Sequence, residues 1–335
     1  MSATDAAALF ALVRQMVDLD SVTGQEEAVA EFTAGYLRRH GIAAELWAFE
    51  PGRANVYAAI GQPRVVLSTH LDTVPPFIPS REDGEFIYGR GSCDAKGIAA
   101  AQIFAALELQ SQGLRDFGLL FMAGEEKNSV GAKTANQRPV GSRFLINGEP
   151  TSSQMVSAGK GALRVDLTAQ GRAAHSAYPQ LGDSAILKLL AALARLQALP
   201  LPADPRLGPT TCNIGTLAGG RAPNVVPDFA RAELLYRLVA PAEDLRQSIA
   251  AAAAPDAQAE FVLEIPPVFL RTLPGFATTT VAFTTDIPAL SSWGDAMLFG
   301  PGDIAVAHTP NERIAKAELT AAVGAYAGMV RSLLG

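Results

Sequence analysis

The chain has 335 residues, 49% of them hydrophobic and 18% charged, with a formal net charge of −6. That length exceeds one comfortable core and points to two domains. The acidic balance, with no run of Lys and Arg, argues against nucleic acid or an anionic membrane as the main partner, because phosphate binding needs clustered positive charge.

The N-terminal stretch carries Asp5, Arg14, Asp18 and Asp20 among its apolar residues and lacks a basic start and a cleavage site. It does not read as a secretory signal. No window of about 18 uncharged apolar residues suggests a bilayer span. Two cysteines, Cys93 and Cys212, give no disulfide framework and suit a reducing compartment, so a cytoplasmic location is expected.

Apolar spacing predicts helices over 4–20 and 24–39, the second stopping at Gly41 after the basic "LRRH". Strands follow near 44–49 and 54–60, and "RVVLST" leads into His70 and Asp72. A helix is predicted over 99–113. "FGLLFMAGEE" (117–126) and "SRFLINGEP" (142–150) are buried strands that run into Glu125, Glu126 and Glu149. Short apolar strands alternating with helices predict an α/β fold with a mainly parallel sheet covered on both faces. Sites in such sheets form beyond the carboxyl ends of the strands, where His70, Glu125 and Glu149 fall.

From about residue 161 the pattern changes. "ALRVDLTAQ" alternates like a half-exposed strand, and a helix (183–199), two strands, a second helix (241–254) and a strand (258–265) follow. That order, β-α-β-β-α-β, is a ferredoxin-like α+β unit. The expected division is a domain of 1–160 and 267–335 with residues 161–266 inserted. A loop with His308 and a closing helix (315–334) complete the chain.

His70, Asp72, Asp94, Glu125, Glu126, Glu149 and His308 all stand at loop positions. Imidazole plus carboxylate is the ligand set of zinc and also tolerates cobalt or manganese. Two histidines and three carboxylates hold two ions if one carboxylate bridges them, and such a pair polarises a carbonyl and deprotonates a water. Two adjacent glutamates gain a reason for burial if one binds metal and its neighbour is a general base. The spacing is dispersed, and a satisfied polar residue at a strand end remains the plain alternative for His70.

"STHLDTVP", "YGRGSCDAKG", "AGEEKNSVGAK", "NGEPT", "GRAAHSAYP" and "GPGDIAVAHTPNE" occur in the order found in the dizinc family of acetylornithine deacetylase, succinyl-diaminopimelate desuccinylase, aminoacylase and glutamate carboxypeptidase. The chain resembles that family over nearly its whole length. The resemblance implies a zinc-exopeptidase-like fold with an inserted lid and dimerisation domain. It implies His70 and Glu149 on one ion, Glu126 and His308 on the other, and Asp94 between them, with a cis peptide after Asp94. Glu125 resembles the general base, and Asp72 the acid that fixes the His70 tautomer. His175 resembles the histidine that stabilises the tetrahedral oxyanion, in some relatives from the partner subunit. Asn224 and Arg237 match positions that bind the substrate carboxylate, although the chain departs from the family pattern at Tyr236.

The implied function is a two-metal amide hydrolase that removes an acyl group from an amino acid, in the manner of acetylornithine or acetyl-lysine deacetylases. The implied partners are a small N-acyl amino acid or dipeptide and a second copy of the chain. A glutamate-type carboxypeptidase or dipeptidase on the same scaffold is the nearest rival, and a metal-binding relative without catalysis is a rival of another class. A nucleotide-dependent ligase is disfavoured by the missing phosphate loop. Cys93, with no spare histidine to activate it, reads as a packing residue. His40 reads as a helix-end residue. The glycines of "GRG" and "GPG" read as points of close backbone approach.

Overall fold

The structure is a computed structural model and describes residues 3–335. In chain order its main elements are α1 (Ala3–Val17), α2 (Glu27–Arg39), β1 (Ala44–Glu50), β2 (Arg53–Ile60), β3 (Val65–His70), α3 (Lys96–Ser111), β4 (Phe117–Met122), α4 (Val130–Asn136) and β5 (Phe144–Asn147). Then come β6 (Gly161–Gln170), α5 (Ala185–Gln197), β7 (Thr211–Gly219), β8 (Phe229–Leu238), α6 (Glu243–Ala253), β9 (Gln258–Ile265), β10 (Asp295–Leu298) and α7 (Lys316–Leu334). The chain forms two compact units. One comprises residues up to Ser157 with Leu270–Thr279 and Thr285–Gly335, and the other Ala158–Phe269 with Thr280–Thr284. Among the described residues no helix is long and apolar enough to cross a membrane.

The first unit is built on a six-stranded sheet in the order β1-β2-β4-β3-β5-β10. β4, β3, β5 and β10 run parallel, while β1 and β2 add an antiparallel edge. The central strands are continuous apolar runs because both faces are covered. Val65 and Leu67 join the large core that contains residues of α1, α2, α3 and α7, and Val66 between them joins a second core with Leu120, Leu145 and Trp293. β3 pairs with β4 on one side and β5 on the other, so three neighbouring strands end at one level. Their C-terminal loops carry His70 and Asp72, Glu125 and Glu126, and Glu149.

The second unit is an antiparallel sheet in the order β7-β8-β6-β9 with α5 and α6 on one face. Leu163, Val165 and Leu167 of β6 pack against Leu189, Leu193 and Ile249, while Arg164 and Asp166 alternate onto the open face. This is the ferredoxin-like arrangement that the order β-α-β-β-α-β predicts, and β6 is the half-exposed strand that the alternation of "ALRVDLTAQ" predicts.

Candidate metal centre

The sheet and the loops beside it bring the predicted ligands to one place in two groups of three. His70, Asp94 and Glu149 form an inner trio, buried throughout, and Asp94, Glu126 and His308 form an outer trio. The ligand atoms of each trio lie within 4.8 Å of one another. Nε2 of His70 is 3.0 Å from Asp94 Oδ1 and 3.8 Å from Glu149 Oε2. Nε2 of His308 is 3.2 Å from Asp94 Oδ2 and 2.9 Å from Glu126 Oε1. The two oxygens of Asp94 therefore face different histidines, as a bridging carboxylate must.

Asp94 reaches this position on the loop between Tyr88 and α3, where Gly91 (φ +86°) brings the backbone under Thr73. A Cβ on Gly91 would fall 2.9 Å from the Thr73 methyl. Gly302 (φ +90°) plays the same part in "GPG", since its Cβ would meet Cys93 Sγ at 2.6 Å. The Asp94–Ala95 peptide is cis. Cys93 is buried, and that burial, aided by Asp94 and Glu312, pushes its thiol well up, so it packs and does not attack.

The structure adds to the part expected of Asp72. Nδ1 of His70 lies 2.9 Å from the Asp72 backbone carbonyl and 3.5 Å from its carboxylate, so the carbonyl is the nearer acceptor that fixes the ring. The carboxylate also faces the His70 ring and, in addition, serves the neighbouring loop. It accepts the Glu125 N–H at 3.1 Å, the Glu126 N–H at 3.2 Å and the Thr23 hydroxyl at 2.8 Å. One buried acid thus orients both glutamates of "GEE".

The electrostatics fit divalent cations. Burial pushes Glu125 and Glu149 well above the usual carboxyl range, and Glu149 Oε1 is buried without a hydrogen-bond partner among the described residues. Burial opposes a charge on His70, but hydrogen bonds to Asp72 and Asp94 outweigh it and hold the ring well above its ordinary pKa. Asp94, then Glu126, push His308 up to about 10. Burial would raise Asp94, yet the two imidazoles hold it well below its ordinary value. So many buried carboxylates around two imidazoles call for positive charge, which divalent cations would supply. The donor set is imidazole and carboxylate, which suits zinc and its neighbours.

Four further residues escape sequence reasoning. Arg90 and Glu312 form a buried ion pair beside Asp94. Lys96 is buried with its Nζ 2.7 Å from the Leu19 carbonyl, and burial lowers it to about 8. Asp286 is fully buried, and burial pushes it up to about 6. Arg90, Lys96 and Glu312 lie inside the quoted motifs but carry no ligand chemistry there, and Asp286 lies outside them; a buried charge in a loop becomes visible only once its partners are.

The remaining predicted residues belong to the second unit. His175 is exposed and accepts the Ala177 N–H on Nδ1 at 3.1 Å. Its loop pairs with the one holding Asn224, through the Ser176 N–H and the Asn224 carbonyl at 3.0 Å. Arg237 lies half-buried on β8.

Residues 66–332 match the family model described as Peptidase family M20/M25/M40. The chain belongs to this family. It is a metal-dependent hydrolase of amide bonds. It is 41% identical to a peptidase M20 domain-containing protein of Schizosaccharomyces pombe over 96% of this chain and 84% of that one. It is 39% identical to a protein of Aspergillus clavatus named "Probable carboxypeptidase", over 98% and 83% respectively. Its fold is similar to that of a Staphylococcus aureus tripeptidase, with a TM-score of 0.83 at 21% identity over 98% of each chain. It is also similar to a dinuclear metal-binding peptidase of the M20 family from Bacillus subtilis, with a TM-score of 0.71 at 17% identity over 97% of each. M20 relatives of the first kind align over both units, inserted residues included.

Proposed function

We propose that the chain releases an amino acid with a free α-carboxylate from an N-acyl amino acid, as in acetylornithine or acetyl-lysine deacylation. The observation that carries the chemistry is Asp94, with one oxygen toward His70 and the other toward His308. In this reading His70, Asp94 and Glu149 hold one ion, and Asp94, Glu126 and His308 hold the other, zinc being favoured and cobalt or manganese tolerated. Bound there, two ions polarise the scissile carbonyl and acidify a water.

Glu125 takes a proton from the attacking water on its carboxylate and returns it to the departing nitrogen. The burial that raises its pKa suits a group that must hold that proton between steps. Asp72, through the two N–H groups it accepts, keeps Glu125 and Glu126 in their separate tasks. His175 accepts on Nδ1, so its neutral ring carries the proton on Nε2 and offers it to a tetrahedral oxyanion. Arg237 is a half-buried guanidinium with no carboxylate partner among the described residues, which suits a substrate carboxylate, with Asn224 as a second contact.

The second unit also supports a homodimer. Its edge strand β7 is exposed along almost its whole length, with Leu217 56% exposed, and α5 presents Leu187 at 68%. An unpaired edge beside apolar helix positions is a surface that a second copy covers. Two free cysteines agree with a reducing, cytoplasmic setting.

A carboxypeptidase or dipeptidase reading has its own support, the name of the Aspergillus clavatus relative. Both readings share the departing amino acid and differ in the acyl side. A release assay over N-acetyl, N-succinyl and N-aminoacyl derivatives of ornithine, lysine and glutamate, with and without chelator, separates them. The deacylase reading predicts chelator-sensitive acetate release and little peptide cleavage. Faster cleavage of the peptides would transfer the assignment to the carboxypeptidase, and turnover of none would refute both.

A further inference from the structure

We propose that the Arg90–Glu312 pair is a positioning element that holds Asp94 between the two trios, and that the outer ion depends on it more than the inner one. The inference rests on the two-ion reading above.

Glu312 is buried, and its two oxygens have divided duties. Oε1 accepts three backbone N–H groups of the Asp94 loop, from Gly91 at 2.8 Å, Cys93 at 3.2 Å and Asp94 itself at 3.1 Å. Oε2 takes Arg90 Nη1 at 2.5 Å. Arg90 in turn donates to the Thr309 carbonyl, next to His308, and to the Pro76 carbonyl in the loop that follows Asp72, each at 3.4 Å. Three loops that carry site residues therefore converge on one buried ion pair. A buried pair is a weak device for stability, since well-packed apolar residues often do as well. It is a strong device for fixing the backbone beneath a ligand, because a carboxylate that accepts three N–H groups leaves Asp94 no freedom to turn.

The two ends of Asp94 differ in what else secures them. His70 is the last residue of a strand paired on both sides, and Glu149 follows another strand of the same sheet. His308 sits on a loop beyond a single 3-10 turn, at φ +63° and 48% exposed. A non-glycine residue in that conformation persists only where its surroundings impose it. The Thr309 hydroxyl, bonded to the Val306 carbonyl at 2.7 Å, and the Arg90 contact are the hydrogen bonds on the residue that follows His308 that help tie this loop down.

The test is a titration of the metal-free, full-length protein with Co(II) alone, read by calorimetry and by the visible spectrum, for wild type, Glu312→Gln and Arg90→Lys. Glutamine keeps an acceptor for the N–H groups and loses the charge facing Arg90. Lysine keeps the positive charge facing Glu312 and loses the fork that reaches Thr309 and Pro76. The expected result is two bound ions in wild type and a second ion weakened about 10–100-fold in both variants, with the first changed less than about threefold. If Glu312→Gln does not fold, Arg90→Lys carries the test alone. Lower melting temperatures with both affinities unchanged would overturn the proposal and leave the two-ion reading intact, as would equal weakening of both ions. Uptake of fewer than two ions by wild type would instead refute the two-ion reading and the proposal with it.

Discussion

The inner and outer trios use the same kinds of side chain, one histidine with two carboxylates, and share Asp94. In the inner trio every member is buried, and His70 and Glu149 stand at the ends of paired parallel strands. In the outer trio Glu126 leaves its strand by four residues and His308 is half exposed on a loop held by side chains. The difference teaches that ligand identity alone does not set a site's character. The inner site borrows its geometry from the sheet, whereas the outer site depends on hydrogen bonds that loops make with one another.

The largest expected effect spares both trios. Glu125 belongs to neither, so Glu125→Gln should lower kcat about 10²–10⁴-fold while metal analysis still finds both ions. Loss of an ion in that variant would make Glu125 a ligand and blur the comparison. Retained turnover would remove it as the base.

A pair of substitutions sharpens the contrast directly. His70→Ala leaves Asp94 and Glu149 buried without their cation partner, a loss of roughly 3–5 kcal/mol of stability in the metal-free protein by denaturant unfolding. His308→Ala removes a half-exposed partner of Asp94 and Glu126, should destabilise the metal-free protein less than His70→Ala does, and should lose the outer ion only. Equal destabilisation by the two would erase the distinction between a site built on strands and one built on loops.

The smallest effect is on pH. In the metal-free protein Asp94 and Glu126 raise His308 to about 10. A raised histidine stabilises the fold fully below its unfolded pKa of about 6.5, and that contribution disappears as pH rises through about 10. Cations must displace its proton, so apparent affinity should rise with pH across this window, and calorimetry should give heats that depend on the buffer's ionisation enthalpy. Buffer-independent heats at pH 7 would mean that the imidazoles are already neutral.

The same contrast marks what the sequence reveals. "RVVLSTH" is legible because a strand buried on both faces must be continuously apolar, and a histidine at its end stands out. "ALRVDLTAQ" is legible because one face of its sheet is open. The antiparallel edge of β1 and β2 is not, since direction leaves no mark on composition. Glu312 and Arg90 are 222 positions apart and acquire a role only when the loops close. Asp72 is legible as an acid near His70, but not as the acceptor for Glu125 and Glu126, because backbone N–H groups carry no signature in the residues that own them. α4 (Val130–Asn136) is too short to show a helical stripe.

Anomalous diffraction from crystals grown with Zn(II) tests the central claim most directly. The account predicts two peaks about 3.5–4 Å apart, one within bonding distance of His70 and Glu149, the other of Glu126 and His308, with Asp94 bound to both. A single peak, or two that do not share Asp94, would contradict it.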